Sequence, residues 1–234
     1  VPRARTLVLL ALLVLPGVAQ ATEAPGAPSA AEAWTARVLT TVSAHSAPSR
    51  ASRTVALVRP VAPLGRGPTV LEVTDARHVG GREWVRLRLP VRPNGTQGWV
   101  PADALRFRRT ELSIVIDQGE RTLSLRDRGR VVMRVPVAVG KPGTPTPNGR
   151  FAVAELIRTG QPGAFLGPIV FPLTGYSRTL NEYAGGNGRV AIHGTSLPEL
   201  LGTRASHGCI RVGNRWIVKL SRLVRPGTPV LIRP

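Results

Sequence analysis

Cys209 is the chain's one cysteine, and it lies in Ser206-His207-Gly208-Cys209-Ile210-Arg211, a polar turn opened by glycine. A lone Cys commonly serves as a small buried hydrophobe. These polar neighbours suit a working thiol instead. Such a nucleophile needs a base within hydrogen-bond reach and a third group to orient that base. A neighbouring His or positive charge also lowers a thiol below its ordinary pKa of about 8.5. Two of the four histidines qualify. His207 is two residues from Cys209, so in extended chain both side chains share a face. His193, in His193-Gly194-Thr195, ends a separate strand-like run and can approach across a sheet. The spacing favours His193 and leaves His207 open. His45 and His78 are expected in solvent, one in a tether and one in a turn. A single cysteine excludes an internal disulfide framework and a zinc site built on several thiolates. No ligand cluster suggests a metal, and no cofactor is expected.

The elements that must position this chemistry are read mainly as strands. Residues 54–58, 70–74, 84–89 and 98–100 are short β-branched or aromatic runs, separated by turns at 65–68, 80–81 and 93–95. From Thr110 longer alternating runs follow at 112–116, 122–126 and 131–139, with glycine-containing turns between them. The Thr144-Pro145-Thr146-Pro147-Asn148-Gly149 stretch reads as a loop, and 150–156 as a strand. Residues 189–193 lead into the chemistry. Asn214 stands at a helix start, with Trp216, Leu220, Leu223 and Val224 at helical spacing and Pro226-Gly227 as the stop. Residues 229–232 read as a last strand. Residues 22–52, rich in Ala, Pro and Ser, read as a tether with one or two helical turns near 30–39.

The N-terminal segment and the charge bear on location and partners. Arg3 and Arg5 precede an apolar run from Leu7 to Leu15, then Pro16-Gly17 and Ala19-Gln20-Ala21. This is the layout of a secretory signal peptide at 1–21, shorter than the ~20 apolar residues of a membrane span. A membrane association is expected only if that leader is retained uncleaved. The expected location is outside the cytoplasm, in the cell wall or periplasm. The chain carries 32 Lys+Arg against 13 Asp+Glu, a net charge of +19, and only Lys141 and Lys219 are lysines. Such a field favours anionic surroundings. Only 4% of residues are Phe, Trp or Tyr, too few for base-stacking platforms. A solvated basic surface with no specific partner and attraction to anionic wall polymer are the two readings of this charge, and nucleic acid is not expected.

Two family resemblances stand on these residues. Trp84-Val85-Arg86-Leu87 and Gly98-Trp99-Val100-Pro101-Ala102-Asp103-Ala104-Leu105 resemble a bacterial SH3-like domain, which implies a small barrel over 53–107. Ile192-His193-Gly194-Thr195 with Ser206-His207-Gly208-Cys209-Ile210-Arg211 resembles the L,D-transpeptidase catalytic domain of the YkuD type. The proline-rich loop at 144–149, Leu200-Leu201-Gly202 and Gly227-Thr228-Pro229-Val230 agree with it, and it covers 110–234. The fold class implied is mainly β: an SH3-like barrel, then an L,D-transpeptidase-type β-sandwich with one C-terminal helix. The second resemblance implies that Cys209 attacks an L-centre carbonyl of a peptidoglycan stem tetrapeptide and expels D-alanine, before an amine resolves the thioester. It makes His193 the base, with the Gly194 carbonyl orienting it. It places the Gly208 and Cys209 amides at an oxyanion hole, with Ser206 and His207 shaping the loop. Arg211 would hold a substrate carboxylate or brace the turn, and Tyr176 and Asn187 would belong to a substrate-covering lid. Hydrolysis of the thioester, as in a carboxypeptidase, and a non-catalytic wall-binding protein are the alternatives.

Overall fold

The computed structural model describes residues 25–29, 31–182 and 185–234. The signal peptide read at 1–21 lies outside them. The described chain forms two sheets. The first contains β1 (Ala33–Val38), β2 (Val42–His45), β3 (Thr54–Val58), β4 (Val70–Val79), β5 (Arg82–Arg88), β6 (Gln97–Pro101) and β7 (Leu105–Thr110). Its order is β3-β2-β6-β5-β4-β1-β7. Leu71, Val73, Val85, Leu87 and Val100 fill its core.

The tether ends sooner than its composition suggests. Residues 33–38 and 42–45 are strands, and among the described residues no helical turn forms near 30–39. Their alanines and serines have little β preference of their own. Pairing decides: β1 is held on both sides, by β4 and by β7. The sheet therefore starts at Ala33, about twenty residues ahead of the expected 53. His45 moves with it. The residue is buried, its Nδ1 lies 3.1 Å from the Ser52 carbonyl, and its ring meets Trp84 edge-on. His78 is exposed and pairs with Glu83 at 2.7 Å.

The second sheet holds β8 (Leu112–Asp117), β9 (Thr122–Asp127), β10 (Arg130–Gly140), β11 (Gly149–Ala152), β12 (Ile157–Arg158), β13 (Ile169–Tyr176), β14 (Arg189–His193), β15 (Arg204–Ser206), β16 (Ile210–Val212) and β17 (Pro229–Arg233). The order is β11-β17-β8-β9-β10-β16-β14-β13-β12, with β15 beside β10. One helix, α1 (Asn214–Leu223), precedes β17 and buries Ile217 and Leu220. Leu223, expected on the buried face, is exposed. Gly213 occupies the N-cap and no side chain caps the helix. The Asn214 side chain is drawn elsewhere, as described below. β13 is buried at every position, and such strands read as continuous apolar runs rather than alternation.

The sheets are bolted together by polar groups that have left water. Glu155 and Arg189 form an ion pair whose side chains are 3% and 9% exposed. Glu155 Oε2 also accepts the backbone N–H groups of Leu64 and Gly65, at 3.1 and 2.6 Å. Tyr176 donates its hydroxyl to the Pro90 carbonyl at 2.7 Å, and Asn94 bonds both backbone groups of Tyr176. Tyr176 is thus a buried joint between sheets and no part of a lid. Its aromatic ring serves Arg92, whose guanidinium stacks 4.7 Å above it.

Candidate active site

The sheet topology brings the two halves of the chemical motif together. β14 and β16 are parallel neighbours, with Ile192 opposite Ile210 and His193 opposite Arg211. Cys209 immediately precedes β16, two residues from Arg211. Cys209, His193, Ser206, His207 and Arg211 all line one cavity of about 620 Å³. Gly194 borders the site through its carbonyl and Gly208 through the turn.

That turn is tied internally. Ser206 Oγ donates to the Cys209 carbonyl at 2.6 Å and accepts the Gly208 N–H at 3.1 Å. Gly208 has φ +110°, a conformation L side chains rarely adopt. The proline-rich loop supports the turn from outside, since Lys141 N–H and Thr144 Oγ1 both donate to the Ser206 carbonyl. The Gly208 amide is therefore engaged by Ser206. Of the two amides considered for an oxyanion hole, that of Cys209 is the stronger candidate.

His193 is 1% exposed, and its Nδ1 lies 2.6 Å from the Gly194 carbonyl. A carbonyl can only accept, so Nδ1 carries a proton toward Gly194. Burial pushes the imidazole down to about 4, and the Arg211 charge works in the same direction, against the carbonyls of Gly194 and Leu166. Burial pushes the Cys209 thiol up, although the Ala191 backbone amide and Arg211 favour its thiolate. This reverses the lowered thiol expected from the motif, because desolvation outweighs the nearby cation. Both shifts favour the neutral form of each group, thiol and imidazole.

Arg211 is 4% exposed. Its guanidinium stacks 4.7 Å from the Phe165 ring centre, and its buried Nε has no hydrogen-bond partner among the described residues. It does not brace the turn. It is a buried cation facing a cavity, a costly arrangement without an anion.

Two segments close over the cavity. Residues 159–168 form a loop bonded to itself, with Thr159 Oγ1 donating to the Gly167 carbonyl at 2.6 Å. Phe165 from this loop sits 6.0 Å from the His193 ring. Asn187, with its glycine neighbours, lines the opposite wall. Asn214 joins the first loop to the histidine: its Oδ1 accepts the Thr195 N–H at 2.8 Å, and its Nδ2 donates to the Pro162 carbonyl at 3.0 Å. Gly194 and Gly167 pack backbone to backbone here, and a Cβ on Gly167 would lie 2.6 Å from the Gly194 Cα.

Residues 111–232 match the YkuD family, the L,D-transpeptidase catalytic domain. The chain belongs to that family. The YkuD proteins of Bacillus licheniformis and Bacillus subtilis are 37% and 35% identical to it over 121 and 119 residues, 52% and 51% of this chain. The aligned segments span 65% and 64% of those relatives' lengths. A crystal structure of an Enterococcus faecium L,D-transpeptidase variant aligns with 52% of this chain and 49% of its own, at 25% identity and a TM-score of 0.41.

Four residues of this L,D-transpeptidase domain's site escape a motif reading. Phe165, Leu166 and Asn214 carry a faint signal: large or amide side chains beside glycines and prolines. Ala191 carries none, because it acts through its backbone.

The depressed imidazole has a consequence for stability. Above about pH 6.5 His193 is neutral whether the chain is folded or not, and its burial costs nothing in protonation. Between about 6.5 and 4 the unfolded chain takes up a proton that the folded one refuses, so stability falls as pH falls. The loss approaches about 3 kcal/mol at pH 4. Denaturant titrations across this range are expected to show the decline in wild type and a flatter profile in His193→Gln. Parallel profiles would contradict the assignment of that titration to His193.

Proposed function

We propose that this protein is an exported L,D-transpeptidase that joins peptidoglycan stem peptides through a thioester on Cys209. The Cys209 sulfur attacks the carbonyl of the L-centre in a donor tetrapeptide, and its proton passes to His193 Nε2. The tetrahedral intermediate collapses, the C–N bond to D-alanine breaks, and the departing amine takes that proton. An acceptor amine then attacks the thioester, and the thiol is regenerated. The Gly194 carbonyl holds the imidazole where a carboxylate would otherwise stand. The Cys209 amide meets the developing oxyanion, where one preorganised donor is worth ~2.7–4 kcal/mol. Arg211, buried and with no anionic partner among the described residues, receives a carboxylate of the donor; Ser206 and His207 shape the turn.

One observation carries this reading. The thiol, an imidazole held by the Gly194 carbonyl and a buried guanidinium with no carboxylate partner among the described residues share one cavity. A protein that only bound the wall would have no use for that combination. The first sheet is read as a wall-facing module of the bacterial SH3-like kind, on its Gly98-Trp99-Val100 strand. Loops 159–168 and 185–188 shield the thioester from water while the amine docks.

The test is mass spectrometry of a tetrapeptide-bearing muropeptide incubated with and without an acceptor stem. Dimers joined between third-position residues, with D-alanine released, are expected when acceptor is present. Trimmed tripeptide alone, even with abundant acceptor, would move the assignment to a carboxypeptidase. Absence of D-alanine release under both conditions would leave a binding protein.

A further inference from the structure

Beside the catalytic cavity, and separated from it by the Leu64-Gly65 turn and the Glu155–Ile157 segment, lies a second cavity of about 540 Å³ between the two sheets. Four arginines surround it: Arg37 from β1, Arg106 and Arg108 from β7, and Arg225 from the segment after α1. Arg37 and Arg106 are register partners on adjacent strands, and Arg108 lies two residues further along the same face. Like charges placed directly opposite each other destabilise a sheet.

Among the described residues no acidic side chain offsets that repulsion. Among the described residues Arg37, Arg106 and Arg108 have no carboxylate partner, and Arg225 bonds only to the backbone carbonyls of Ser221 and Val224. The one carboxylate in the lining, Glu155, is already neutralised by Arg189. The cleft is therefore a concave surface with four uncompensated guanidinium groups at its edge.

We propose that this cleft binds a phosphodiester polyanion with an aliphatic, polyol-type backbone. Guanidinium forks match phosphate oxygens bidentately. The walls between them, Pro68, Val70 and Leu156, offer carbon surface to a carbon chain. Phe107 is the one aromatic residue in the lining, so successive bases of a nucleic acid would find no stacking platform. Occupancy would hold an anionic polymer beside the catalytic cavity, across a shared wall.

The experiment measures binding of the full chain to synthetic poly(glycerol phosphate) over a range of salt. Arg37→Gln/Arg106→Gln is compared with Arg130→Gln/Arg222→Gln, which removes the same charge from exposed positions outside the cleft. The cleft variant is expected to lose about tenfold in affinity and to show a flatter salt dependence, with the control near wild type. The polymer should raise the melting temperature of wild type and control, and raise that of the cleft variant distinctly less. Because Arg37 and Arg106 repel, their removal should leave the unliganded melting temperature unchanged or higher. Equal losses in both variants would reduce the effect to net charge and overturn the site. Tighter binding of a single-stranded oligonucleotide than of the polyol phosphate would overturn the ligand class.

Discussion

Cys209→Ala is expected to abolish acyl transfer completely while the protein melts within a few degrees of wild type. The sulfur keeps part of its surface in the cavity. The turn around it is held by Ser206 Oγ and the proline-rich loop rather than by the thiol. Losing one atom there costs about 1 kcal/mol or less, the range of ordinary single substitutions. Catalytically the loss is total, because no second thiol exists to take the acyl group. Cys209→Ser should be nearly as inactive. A hydroxyl is far less acidic than a thiol, and the base beside it is already held down to about 4. D-Alanine release with tetrapeptide donor reads the effect, and intact-mass spectra should show an acyl adduct on wild type alone. Turnover by purified Cys209→Ala protein would remove the thioester from the mechanism.

His193→Gln is expected to lower kcat/KM by about 10²–10⁴-fold, the usual worth of general acid–base assistance. Glutamine can still donate to the Gly194 carbonyl, so the site keeps its shape while losing the atom that accepts the proton. Burial raises the thiol's pKa, so removal of the proton acceptor is expected to be felt in the attack step. His207→Ala should cost far less. His207 lies on the mouth of the cavity, where the Lys141 and Arg211 charges and its partial burial lower its pKa. A larger loss in His207→Ala than in His193→Gln would reverse the two roles.

The catalytic motif was legible because it is local. Gly208 and Gly194 are needed where the backbone turns or packs tightly, and both stand inside the quoted strings. β8, β9 and β10 were also legible as β-branched runs between glycine turns, with the clearest alternation in β10. Three features were not. β1 and β2 carry Ala, Ser and Thr, and their strand state comes from pairing: β1 with β4 and the distant β7, β2 with β3 and β6. Tyr176 was read with the Gly-rich run that follows it, yet its hydroxyl answers to Pro90, 86 residues earlier. The thiol's pKa was misjudged because neighbours in sequence show the cation, whereas desolvation is a property of the folded surroundings.

The bolts between the sheets also decide what can be cut away. Leu64, from a turn of the first sheet, lines the catalytic cavity beside Ile157. Arg92 reaches across from the same sheet to the carbonyls of Ser177, Leu180 and Asn187, the segment that forms the opposite wall. A fragment starting at Glu111 would keep every residue of the motif and lose both walls' supports. It would also expose the Glu155–Arg189 pair to water and leave the Tyr176 hydroxyl without Pro90. The family's sequence boundary and the boundary of the working cavity are thus different lines on this chain. In protein-engineering terms the active site is not a portable cassette: its smallest self-sufficient unit includes the sheet in front of it.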